Sequence, residues 1–110
     1  MQTVDALESL AALSHPTRLA AFRLLVRHEP DGLSTGQLVA RSGLSQSTFS
    51  SHLAILVSAR LVIPEKRGRQ MIQRANIDAL RDLMLFLAKD CCGGRADLCE
   101  PLSADLLKLC

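Results

Sequence analysis

Ser42-Gly43-Leu44-Ser45-Gln46-Ser47-Thr48-Phe49-Ser50-Ser51-His52-Leu53 is the stretch that decides how this chain folds. Ser42-Gly43 stops a short helix, since glycine enters left-handed geometry without steric cost. Ser45 then offers its hydroxyl to the free amides of a new helix. In that second helix, running to about Ser58, Phe49, Leu53, Leu56 and Val57 recur at helical spacing and define one apolar face. Gln46, Ser47, Ser50 and Ser51 fall on the opposite face near its N-terminus, with Thr48 beside them. Just upstream, Ser34-Thr35 opens the first helix of the pair, carried by Leu38, Val39 and Ala40. A helix, a tight turn and a second helix in this order make a helix-turn-helix.

Beyond it the period changes. Leu61-Val62-Ile63 is short and β-branched, and Met71-Ile72-Gln73 is its return partner, with Gly68 supplying positive φ at the turn. The turn is basic: Lys66, Arg67, Arg69 and Arg74 lie within nine residues with a single acid, Glu65, beside them. A helix entering a major groove needs close backbone approach, which small hydroxyls permit, and a glutamine pairs bidentately with adenine. A basic hairpin just downstream suits phosphate or minor-groove contact. Either feature alone is ordinary solvated surface; together, in this order, they describe a winged helix-turn-helix reading duplex DNA.

The flanks are helical. Val4, Leu7, Leu10, Ala11 and Leu13 place an amphipathic helix over Val4 to Leu13. Ser14 caps a second helix that has Pro16 in its first turn and runs to about His28, where Glu29-Pro30-Asp31-Gly32 turns the chain. Asn76 caps a later helix in which Ile77, Leu80, Met84 and Leu87 form an a/d seam, widened by Leu83, Leu85 and Phe86. A short helix over Pro101 to Leu109 closes the chain. The expected fold is mainly α with one small β-hairpin. Two units follow: residues 1–90 for DNA binding and dimerisation, and residues 91–110 for ligand binding.

Composition narrows the function. With 13 Lys and Arg against 11 Asp and Glu, the net charge of +2 leaves the distribution of charge to carry the information. Absence of Trp and Tyr, with only three Phe, argues against single-strand binding by base stacking. The apolar runs are too short to span a bilayer, and no export signal is readable, so a cytoplasmic protein with reduced thiols and no membrane partner is expected.

Ala11-Ala12-Leu13-Ser14-His15-Pro16-Thr17-Arg18-Leu19 resembles the opening signature of the ArsR/SmtB family of bacterial metal-responsive repressors. Leu44 to Leu53, followed by Ala59-Arg60-Leu61-Val62, is similar to that family's recognition helix and its lead into the wing. The likeness spans about Leu7 to Ala88. It implies a homodimer paired through the first and penultimate helices, bound to a palindromic operator in double-stranded DNA. The apolar seam of Ile77 to Leu87 independently favours a second copy, because one short helix cannot bury all its faces within a small monomer.

Cysteine usage points to the signal. Cys91, Cys92 and Cys99 fall within nine residues, and none precedes Cys91. Three thiolates make a soft anionic site favouring thiophilic ions. Trivalent arsenic and antimony take three sulfurs, whereas zinc wants a fourth ligand; Asp97 and Glu100 are the nearby oxygen donors. Adjacent cysteines do not point the same way on a regular helix, so a chelate requires the backbone to leave the helix at Cys91, with Gly93-Gly94 returning Cys99. Familiar arsenic-responsive members carry cysteines in the first helix of the helix-turn-helix, but Ser34 to Gly43 has none here. Zinc and cadmium members use His along the last dimer helix, also absent. The thiols instead resemble those of members whose site follows the dimer helix. As(III) or Sb(III) is thus the expected inducer, with no constitutive cofactor; redox sensing and a Zn or Cd response are the alternatives. Cys110 is not expected to be a ligand. Enzyme activity is not expected, because these cysteines follow a helix C-terminus, whose dipole opposes a nucleophilic thiolate.

Overall fold

The computed structural model describes residues 1–92 and 96–108; at positions 89–92, 96, 98, 99 and 103 it describes the backbone alone. Its elements run α1 (Thr3–Leu13), α2 (Pro16–Arg27), β1 (Leu33–Ser34), α3 (Thr35–Ser42), α4 (Gln46–Ser58), β2 (Val62–Arg67), β3 (Gln70–Ala75), α5 (Ile77–Cys92) and α6 (Ala96–Lys108). The fold is a winged helix-turn-helix, mostly helical with one small antiparallel sheet.

Helices α2 to α5 each begin where a side chain satisfies an amide that the helix leaves open. Ser34 Oγ accepts from the Gln37 amide at 3.1 Å while Gln37 Oε1 accepts from the Ser34 amide at 2.9 Å, a reciprocal capping box. Ser45 Oγ accepts from the Thr48 amide at 3.3 Å, and Asn76 Oδ1 from the Ala79 amide at 3.2 Å. The start of α2 departs from expectation. Its cap is His15, whose Nδ1 accepts from the Thr17 amide at 3.1 Å, while Ser14 closes α1.

The hairpin forms with Gly68 at φ 61°, as expected, and with Arg67 opposite Gln70. Met71-Ile72-Gln73, however, pair with Lys66, Glu65 and Pro64 rather than with Leu61-Val62-Ile63, because the strands extend up to the two-residue turn. Leu33–Ser34 joins it as a third strand, giving the order β1-β3-β2. Two residues carry no readable alternation, which is why the sequence predicts only a hairpin. Leu25, Leu38, Phe49, Leu56, Leu61 and Val62 are the largest fully buried side chains, so the core lies between α2, the helix-turn-helix and the sheet. As predicted, α4 buries Phe49, Leu53 and Leu56, with Val57 half-buried.

Val4, Leu7 and Leu10 of α1 point the other way, while Leu13 packs against the core. Ala6, Ser9 and Ala12 face inward, whereas Val4 and Leu7 are 59% and 61% exposed. On α5, Leu83 is buried, but Ile77, Met84, Leu85 and Leu87 are exposed and Leu80 is half-buried. α5 continues through Cys92, so the junction read at residues 90 and 91 lies in its last turn. α6 begins at Ala96, earlier than expected, and takes Pro101 inside it.

Candidate nucleic-acid interface

Gln46, Ser47, Thr48, Ser50 and Ser51 are all exposed on the first two turns of α4. They are not equivalent. Ser45 Oγ donates to Thr48 Oγ1 at 2.9 Å and lies 3.4 Å from Ser47 Oγ, so these hydroxyls pre-organise the turn. Ser51 Oγ donates to the Ser47 carbonyl at 3.2 Å. Among the described residues, the Gln46 and Ser50 side chains make no hydrogen bond. A glutamine amide and a serine hydroxyl, free and one turn apart, are therefore available to base edges or phosphates.

The basic cluster divides in the same way. Lys66 and Arg69 are exposed and make no ion pair among the described residues. Arg67 is already engaged. Its Nε and Nη2 donate to the two oxygens of Glu65 at 3.2 and 3.3 Å, and its Nη1 donates to the Asp31 carbonyl at 3.1 Å. Arg74 donates through Nε and Nη2 to both oxygens of Glu29, at 3.2 and 2.9 Å, and through Nη1 to Glu65 at 3.4 Å. It is a bidentate counterion holding the wing to the loop after α2, not a free cation.

This network ties wing geometry to pH. The hydrogen bond from Arg67, reinforced by Arg67's charge and by Arg74, holds the Glu65 carboxyl below the usual glutamate range. Glu29 raises the pKa of Arg74. A carboxylate whose folded pKa is depressed stabilises the fold above its unfolded value and ceases to do so as pH falls through the folded value. Wild-type protein should thus lose more thermal stability between pH 5 and pH 3 than Glu65→Gln. Parallel Tm-against-pH curves for the two would remove Glu65 from the linkage.

His15, Arg18 and His52 form a second polar cluster. It was not legible as a site in the sequence, where His15 to Arg18 carried a family signature and Ser14 was the expected cap. The imidazoles of His15 and His52 lie 4.3 Å apart, tilted by 35°. Arg18 Nη1 is 3.1 Å from His52 Nδ1.

Cys91 and Cys92 close α5 and Cys99 lies in the first turn of α6. The helix thus includes Cys91 and Cys92, whereas a chelate was expected to require the backbone to leave it at Cys91. The side chains of Cys91, Cys92 and Cys99, the Gly93-Gly94 link and Cys110 lie outside the described residues, and so does the expected metal site. Among the described residues no three His, Cys, Asp or Glu side chains converge on a metal-sized site. Among the described residues no helix is long and apolar enough to cross a membrane.

A helix pair with an exposed polar N-terminal turn, flanked by a hairpin carrying free cations, defines a winged helix-turn-helix regulator. A family model described as a helix-turn-helix domain matches residues 13–65. An ArsR-like transcriptional regulator from Rhodococcus sp. RHA1 superposes with a TM-score of 0.73 at 27% identity, over 92% of this chain and 89% of that one. A structure described as a possible transcriptional regulator for arsenical resistance is 31% identical, with a TM-score of 0.63 over 73% of this chain and 80% of its own. HlyU from Vibrio cholerae is 29% identical, with a TM-score of 0.63 over 83% of this chain and 99% of its own, and the same protein matches in a structure described as reduced. No curated protein sequence matches the chain. The chain belongs to the ArsR family of DNA-binding transcriptional regulators.

Proposed function

We propose that this chain is a repressor that binds a palindromic operator as a homodimer and is released when As(III) or Sb(III) binds Cys91, Cys92 and Cys99. The observation that carries the DNA-reading half is the exposed α4 turn, with Gln46 and Ser50 free, accompanied by free Lys66 and Arg69 on the wing. Dimerisation is supported by the outward apolar faces of α1 and α5, where Val4, Leu7, Leu10, Met84, Leu85 and Leu87 are exposed. Residues of this size, clustered on two helices, are buried by a second copy at about 25 cal/mol per Å². Two-fold symmetry then matches a palindrome, with one α4 per half-site.

The inducer is supported by donor chemistry: three thiols convert As(OH)3 to a tris-thiolate with release of three waters. The structural likeness to a possible regulator for arsenical resistance points the same way. The cysteines close the very helix whose outer face pairs the protomers. A ligand there acts on the relative placement of the two α4 helices, and a ~100-fold loss of DNA affinity requires about 2.7 kcal/mol of coupling. A second reading, in which the same cysteines form a disulfide on oxidation, is favoured by the match to reduced HlyU.

The test is titration of the reduced protein with arsenite, antimonite and zinc, following thiolate charge-transfer absorbance. One arsenic per protomer, lost in Cys91→Ser, Cys92→Ser and Cys99→Ser, is the expected result. All three variants should still bind DNA but ignore arsenite. Failure to bind arsenic would sink the metalloid assignment and leave the redox or zinc signal.

A further inference from the structure

Arg18, in the first turn of α2, spans three elements. Its Nε donates to the Ala12 carbonyl at 2.6 Å and its Nη2 to the Ala11 carbonyl at 3.5 Å, both in the last turn of α1. Its Nη1 faces His52 Nδ1 on α4 at 3.1 Å. A guanidinium has only donors, so His52 Nδ1 is the acceptor and the ring is neutral with its proton on Nε2. His15 is committed likewise, since its Nδ1 accepts from the Thr17 amide. Protonating the His52 ring sets donor against donor and adds a cation beside Arg18 and the positive end of α2.

We propose that Arg18 is a positioning residue for DNA reading: it fastens α4 to the end of α1 through neutral His52, and acidification through the imidazole range releases α4 and weakens operator binding. This rests on the DNA-reading role proposed above. The strut joins the helix with an outward dimer face to the helix with the free Gln46 and Ser50, a physical link between pairing and reading.

The charge surroundings agree in sign. Partial burial, then His15, then Arg18 hold the His52 imidazole below its ordinary value of 6.5. The contact is therefore intact above 6.5 and lost as pH falls through the lowered folded value. His15 and Arg18 are the titratable and charged groups that act on His52 among the described residues. On α1, Glu8 lines the adjoining groove beside Ile55, one turn further along α4.

The probe is a duplex selected from random-sequence DNA by the intact wild-type chain at pH 7.5. Its affinity is measured from pH 7.5 to 5.5 at fixed ionic strength. The double variant His15→Asn, His52→Gln keeps a cap and an acceptor for Arg18 but cannot titrate. Wild type should weaken about tenfold or more, the effect of taking up at least one proton across a unit of pH. The double variant should bind comparably at pH 7.5 and change less than about twofold on acidification. A wild-type affinity that is unchanged or rises on acidification would overturn the proposal, as would an equal decline in the variant. Selection of no duplex at all would overturn the DNA-reading role, and the strut with it. Should the double variant not fold, the His52 ring shifts of free wild type decide. A midpoint below 6.5 that matches the fall in DNA affinity supports the strut, and one at or above 6.5 overturns it.

Discussion

Gly32→Ala should cost about 3–5 kcal/mol of stability, far more than the same change at Gly43. Both glycines sit at φ 72°, where a side chain costs about 1–2 kcal/mol. What separates them is space. A Cβ at Gly43 meets nothing within 4 Å, whereas at Gly32 it would lie 2.5 Å from the Gln73 carbonyl and 2.8 Å from Ile72 Cγ2. The carbonyl belongs to β3, the central strand, and cannot yield without disturbing pairing on both sides. β3 is also half of the wing, so the substitution should weaken DNA binding in proportion to wing disorder. Urea melts with matched m-values give the comparison directly. Equal losses at the two glycines would mean that β3 accommodates the methyl group and the close approach carries no energy.

Lys66→Ala with Arg69→Ala should produce the largest functional loss on the wing. Each phosphate contact contributes about 0.9 to the slope of log affinity against log salt. Two lost from each wing of a dimer lower the slope by about 3.6 and weaken binding of order 100- to 1000-fold at ~0.15 M salt. Arg67→Ala should behave differently despite lying between them. Its guanidinium is spent on Glu65 and the Asp31 carbonyl, so its removal loosens the wing with little change in slope. Salt titrations of the three proteins separate the two effects. A slope that falls as much in Arg67→Ala as in the double variant would show that Arg67 exchanges Glu65 for phosphate on binding.

Residue type ranks these two positions only in part. Gly32 is legible as a turn glycine from Glu29-Pro30-Asp31-Gly32, but its contact with β3 joins residues some forty positions apart. Lys66, Arg67 and Arg69 read alike as cations, yet the partners that divide them, Glu65 and Asp31, are chosen by how the hairpin folds back on the loop. The α4 hydroxyls show the same limit. Ser47, Thr48 and Ser51 are on the expected face, but their bonds to Ser45 and to the backbone leave Gln46 and Ser50 as the free pair.

Local chemistry determined the order of elements, because capping residues, helical spacing of apolar side chains and glycines at positive φ act within a few residues. Ser34, Ser45, Asn76, Gly43 and Gly68 each do in the fold what their neighbours in sequence require. The tertiary structure alone decided four things: that Leu33–Ser34 pairs as a strand, that His15 rather than Ser14 caps α2, that Arg74 and Arg67 are internal counterions, and that α1 turns Val4 and Leu7 outward. The strand, Arg74 and the outward face of α1 depend on partners distant in the chain, and His15 and Arg67 add to their local bonds distant contacts with His52 and the Asp31 carbonyl. Periodicity identifies an apolar face but not its destination: α1 packs inward through Ala6, Ser9 and Ala12, whose small side chains allow close helix approach and leave the large ones for a second copy.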